Sequence, residues 1–161
     1  MPGSNTGYDC SPKLTKAYSA VNISEGTSST LTFTITNGTN NQPQSGVAFT
    51  DSFPAGLTVT AVSAISGVGC SGTPGFTAST VTLSGGAMTG GTVTCTFTAT
   101  ISGDTAGTYV NDSSRFSGVS GALNTDATTA ALTVIGAPPP GSGNKPLYLY
   151  GATGYELSRT P

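Results

Sequence analysis

Three polar residues fall where the surrounding pattern wants apolar ones. Lys16 shares strand parity with Leu14 and Tyr18, Asp51 with Val47, Phe49 and Phe53, and Asn111 with Tyr109. An unpaired ammonium or carboxylate in an apolar interior is costly, so such a set needs mutual pairing or a chemistry that removes the charges. Each residue also has an ordinary use. Lys16 can snorkel to a sheet edge, Asp51 can shape the turn before Phe53 and Pro54, and Asn111 can serve as a turn residue or as the glycan acceptor of Asn111-Asp112-Ser113.

The cysteines are the second candidate set. There are three, with no Cys-x-x-Cys spacing and no histidine, which argues against zinc and leaves a disulfide as the simplest use for two of them. That use implies an oxidising, extracytoplasmic setting. Cys70 sits in a Gly-rich turn and Cys95 on the inward face of a strongly alternating segment, with a hairpin-sized stretch between them, so the two can approach. The alternative is a pair of buried thiols. Cys10 is then left over, either inert in a polar lead-in or bridging to another chain.

Other chemistry has few residues to work with. No clustered carboxylates, Gly-rich phosphate loop or metal motif is present, so neither an enzyme nor a cofactor is expected, and the carboxylates are too scattered for a calcium loop. A net charge of −2 with five scattered basic residues gives no footprint for nucleic acid. No apolar run approaches the roughly 18 residues that would insert in a membrane. The first ten residues lack a basic and then apolar leader, so any export signal has been removed or lies outside this sequence. A sugar platform is not expected either: tryptophan is absent, and Tyr8, Tyr148, Tyr150 and Tyr155 lie in the tails.

The elements that must position these groups are strands. Ser and Thr make up close to a third of the chain and charged residues 7%, a composition suited to pleated, half-buried surfaces. Ser29 to Asn37 places Leu31, Phe33 and Ile35 on one face and threonines on the other. Thr92 to Ile101 likewise directs Val93, Cys95, Phe97, Ala99 and Ile101 inward. Further strands are expected at Leu14 to Tyr18, Val47 to Phe53, Leu57 to Ala64, Thr80 to Leu83, Thr108 to Phe116 and Ala127 to Ile135. About eight strands separated by Gly, Pro, Asn and Ser clusters predict an all-β, two-sheet antiparallel sandwich of the Ig-like kind over 13–136. Residues 1–12 form a polar lead-in, 137–144 a Pro/Gly linker that favours an extended spacer, and 145–161 a strand-like tail.

Several stretches resemble a known family: LTKAYSAVNISEGTSSTLTFTITNGTN, then GVAFTDSFPAGLTV, GGTVTCTFTATI and GTYVN. Together they are similar to Ig-like repeats found in tandem arrays in bacterial surface proteins and catalogued only as a domain of unknown function. The resemblance spans Leu14 to about Val134, and Asp-x-x-Pro-Ala-Gly-Leu at Asp51 to Leu57 is its most specific motif. It implies an exported, non-enzymatic scaffold module on the cell surface and the pairing of Cys70 with Cys95. It also implies an intramolecular isopeptide bond at the matching positions. Lys16, its pKa lowered by burial, would attack the Asn111 carboxamide while protonated Asp51 polarises the carbonyl and ammonia leaves.

Two structural roles follow for the chain. It is a subunit or module of a microbial stalk or fibre whose partners are copies of itself or neighbouring repeats, or it is an excised repeat of a long adhesin with a carbohydrate- or protein-binding role. The alternating run Leu147, Tyr148, Leu149, Tyr150 is the candidate for strand exchange between units; the competing reading makes it the first strand of a following domain. Sequons at Asn22, Asn37 and Asn111 arise readily by chance in a Ser/Thr-rich chain, and Asn37-Gly38 reads better as a turn. O-glycosylation of the outward threonine rows would suit a surface fibre, although composition does not decide it.

Overall fold

The computed structural model describes residues 10–138. The chain is an antiparallel β-sandwich whose sole helical elements, among the described residues, are two single 3₁₀ turns. Eleven strands run in chain order among the described residues: β1 (Lys13–Tyr18), β2 (Asn22–Ser24), β3 (Ser28–Thr36), β4 (Gln44–Ser52), β5 (Leu57–Val62), β6 (Cys70–Thr77), β7 (Thr80–Met88), β8 (Thr94–Gly103), β9 (Gly107–Asn111), β10 (Phe116–Ser120) and β11 (Ala130–Ile135). They form sheets of order β1-β3-β8-β5, β10-β4-β7-β6 and β2-β11-β9. All pairings between these strands are antiparallel except β2 with β11. Strand alternation writes the interior directly: β3 and β8 pair over their full lengths and send Leu31, Phe33, Ile35, Cys95, Phe97, Ala99 and Ile101 into one core. There Phe33 of β3 and Phe97 of β8 stack at 4.8 Å, and Phe49 of β4 closes on both from the facing sheet.

Three expectations change. Val93 is not in the core; it is 56% exposed, because the inward alternation starts only at Cys95. Thr92 turns inward instead, its hydroxyl donating to the Val68 carbonyl at 3.1 Å. The single strand expected from Thr108 to Phe116 is broken by a 3₁₀ turn at Ser113–Arg115, where the Asp112 carboxylate accepts from both the amide and the hydroxyl of Ser114. Its first half, β9, pairs with β11 and its second, β10, with β4, so this one stretch of chain ties the three-stranded sheet to the sheet of β10, β4, β7 and β6. Finally, no strand is expected between Ala64 and Thr80, yet β6 pairs there with β7 as an edge strand, the place in a sheet that tolerates Pro74.

The chain enters and leaves this sandwich at opposite poles. At one pole Lys13 lies opposite Thr36, Gln44 Nε2 donates to the Cys10 carbonyl, and Gly38 abuts the Cys10 backbone, where any Cβ would collide. At the other, Ile135 lies opposite Ser24, its carbonyl accepts from the Glu25 amide, and Gly136 packs on Ala106. The nine residues of β3 separate the poles by about 30 Å at ~3.3 Å per residue. The lead-in before Cys10, the linker beyond Pro138, and the tail with Leu147, Tyr148, Leu149 and Tyr150 lie outside the described residues.

Candidate functional site

Lys16, Asp51 and Asn111 come from three different sheets and meet in the interior. Lys16 lies on β1 between Leu14 and Tyr18, Asp51 on β4 between Phe49 and Phe53, and Asn111 ends β9; their exposures are 6%, 0% and 1%. The Lys16 ammonium donates to Asp51 Oδ2 at 2.8 Å, with both side chains fully enclosed. Phe116, paired with Asp51 across β10 and β4, places its ring centroid 4.3 Å from Lys16 Nζ. The Asp51 motif also explains itself: Gly56 has φ +100° and sits against the Tyr109 ring, so a side chain there would be strained and would overlap the strand that delivers Asn111.

Burial dominates the electrostatics. It pushes the Lys16 pKa down, opposed by the Asp51 carboxylate and, more weakly, by Asp112. It pushes the Asp51 pKa up, opposed first by Lys16, then by the neighbouring Asn111 amide and Arg115. Both shifts favour passing the proton from ammonium to carboxylate, which gives a free amine beside a carboxylic acid. Neither amide atom of Asn111 closes a hydrogen bond. Among the described residues, the buried side-chain atoms without a hydrogen-bond partner are Asn111 Nδ2 and Oδ1, Asp51 Oδ1 and Tyr18 Oη. Tyr18 neighbours Lys16 on the same face of β1, and its pKa is raised by burial and by Asp51. Parity puts Tyr18 beside Lys16 in the sequence but does not mark its hydroxyl as part of the polar group, and nothing local marks Phe116.

Cys70 and Cys95 form a disulfide with Cα atoms 5.7 Å apart, joining β6 to β8. The bond closes a loop of 25 residues, and loops of this size stabilise by about 3 kcal/mol in the chain-entropy model. Mild reduction is therefore expected to lower the unfolding free energy by about 3 kcal/mol without changing the far-ultraviolet dichroism, a shift that denaturant titration reads directly. Cys10 is exposed. Among the sequons, Asn37 is fully engaged: its amide donates to the Gln42 and Thr92 carbonyls, and its oxygen accepts from Gly38 and Gln44. Asn111 is too buried to carry a glycan, whereas Asn22 is exposed on β2. Among the described residues, no group of His, Cys, Asp and Glu could hold a metal ion, and no helix is long and apolar enough to cross a membrane.

Among solved structures the chain is similar to a non-cellulosomal cohesin from the hyperthermophilic archaeon Archaeoglobus fulgidus, at 12% identity and TM-score 0.51, covering 76% of this chain and 91% of that one. Weaker likenesses are to the seventh ScaB type I cohesin of Pseudobacteroides cellulosolvens (14%, TM-score 0.46, 79% and 95% covered) and to BslA, a bacterial hydrophobin (16%, TM-score 0.44, 80% and 96% covered). At these identities the likeness is one of fold. No curated protein matches. A family model does match, over residues 12–134, nearly the span from Leu14 to about Val134 that carries the sequence resemblance, and the chain accordingly belongs to the family described as Domain of unknown function (DUF7933).

Proposed function

We propose that the chain is an extracellular structural module of a microbial surface stalk or fibre, not an enzyme, and that its sandwich is locked by an intramolecular amide between Lys16 and Asn111. The observation that carries the reading is the buried group of unpartnered polar atoms around an ion pair whose members are both pushed towards neutrality. A permanent structural ion pair leaves the Asn111 amide and one Asp51 oxygen desolvated without compensation. Reaction resolves most of that. The neutral Lys16 amine attacks Asn111 Cγ, protonated Asp51 hydrogen-bonds the developing oxyanion, and the Cγ–Nδ2 bond breaks to release ammonia. In the product the new amide N–H can donate to Asp51, and the Asp51 proton can satisfy the Asn111 oxygen.

Scarce charge, a disulfide and a sandwich entered and left at opposite poles suit an exported module repeated end to end. The intact mass is the direct test: it should fall one ammonia short of the sequence value after the disulfide is reduced, and a digest should yield one branched peptide joining Lys16 to Asn111. An unmodified mass with separable Lys16 and Asn111 peptides would sink the cross-link.

The reactive form carries one proton shared between Lys16 and Asp51. The pair titrates as a unit, so cross-linking in freshly refolded chain should slow on both sides of a pH optimum. At low pH a second proton leaves Lys16 as ammonium, and at high pH the loss of the shared proton removes the acid. A rate that rises monotonically with pH would show that Asp51 does not act as the acid.

A further inference from the structure

We propose that the pole carrying Val68 and Val93 is the seat for the tail segment Leu147–Tyr150 of a second copy, which gives the fibre its head-to-tail contact. The inference rests on the reading of the chain as a fibre subunit and adds to it the place where units join. Val68 is 95% exposed, yet it is held firmly. The Cys70–Cys95 disulfide anchors its turn, its carbonyl accepts from the Thr92 hydroxyl, and the flanking Gly69 carbonyl accepts from the Thr89 amide. A large apolar side chain carried into solvent on an anchored turn is placed for contact, because little further backbone ordering is needed on binding.

Val68 and Val93 border an open groove of about 470 Å³, within the range of small-ligand sites, lined also by Gly67, Gly90, Gly91 and Thr94. Glycine walls expose bare peptide on which a flat ring can lie, the valines supply apolar edges, and threonine hydroxyls offer a partner to a phenol. Tyrosine fits such a surface, with an apolar body and a polar tip. The groove carries no charge, and neither does Leu147–Tyr150, whose alternation puts Tyr148 and Tyr150 on one side of an extended strand.

Topology selects the second copy over the same copy. The tail leaves from the pole of Ile135 and Gly136, and the groove lies at the opposite pole, where Gly91 donates to Asn41 beside the Cys10 entry. The ten residues from Ala137 to Pro146 reach about 30 Å at ~3.1 Å per residue only when fully extended, which is the whole length of the sandwich. In a neighbour stacked end to end the groove lies directly ahead of the departing chain.

The test is sedimentation velocity of the full chain over a wide concentration range. Val68→Asp should weaken self-association at least about tenfold, and so should the pair Tyr148→Ser and Tyr150→Ser, with the combination adding little because both act on one contact. Val68 lies outside the core, so retention of the disulfide and of the far-ultraviolet spectrum shows that the fold is unchanged. A chain that stays monomeric throughout, association indifferent to Val68→Asp, or a tail that cross-links chemically to its own domain would each overturn the proposal. Loss of association on replacing Phe76 of the β6 edge, with Val68→Asp silent, would place the contact elsewhere and overturn it too. A monomer that still lacks one ammonia would refute this contact while leaving the cross-linked module intact.

Discussion

Pulled by its two ends with the disulfide reduced, the domain should extend about 340 Å less than an equivalent chain with Lys16→Ala, at ~3.6 Å per residue for everything between Lys16 and Asn111. The covalent path explains why. Force enters along β1, crosses the amide from Lys16 to Asn111, and leaves through the stretch leading to β11, so residues 17–110 carry no load. Without the amide the same pull must strip the sandwich, because β1 is held to β3, and β11 to β9 and β2, by non-covalent contacts alone. The disulfide lies wholly inside the protected loop, since Cys70 and Cys95 both fall between Lys16 and Asn111. Reduction should therefore leave the wild-type extension unchanged while lengthening that of Lys16→Ala by about 90 Å, the 25-residue loop at ~3.6 Å per residue. Single-molecule force spectroscopy reads both values, and a wild-type domain that extends to full length is incompatible with the amide.

The second large effect is on stability. Lys16→Ala leaves the Asp51 carboxyl enclosed with neither the ammonium of the unlinked chain nor the amide N–H of the linked one, and removing one partner of a buried pair typically costs about 3–5 kcal/mol. It also forfeits the closed loop of the cross-link, whose entropic contribution for a loop near 100 residues is about 4.7 kcal/mol by analogy with disulfides. Asn111→Ala forfeits the loop but leaves Lys16 and Asp51 paired at 2.8 Å. Both variants should thus melt well below the wild type, with Lys16→Ala the lower. Were the group only an ion pair, Asn111→Ala would cost little, since neither amide atom makes a hydrogen bond. Calorimetry on the two variants separates these cases. The joint replacement Lys16→Met with Asp51→Leu should recover part of the loss, because it removes the uncompensated charge without restoring the loop.

The core and the parity of the site residues belong to the sequence. Leu31, Phe33 and Ile35 alternate so strictly with threonine that only one face can be buried, and the same rule correctly sends Lys16, Asp51 and Asn111 inward with their neighbours. Period-2 alternation is a local property, legible wherever a strand is long and one-sided. It fails where a strand is short, like β2, where glycine and proline hide an edge, as in β6, or where a side chain outcompetes the ladder, as Asp112 does before β10. Val93 continues the inward parity on paper, yet it faces solvent, with Thr92 turned inward beside it and its hydroxyl on the Val68 carbonyl. What tertiary structure alone decides is meeting. Parity says that three polar groups point inward; it does not say that β1, β4 and β9 bring them to one place, that Tyr18 and Phe116 complete the group, or that Val68 and Val93 emerge side by side at one pole. Those facts depend on how strands far apart in sequence pack across the layers, and packing is set by the sum of many weak contacts that no single segment encodes.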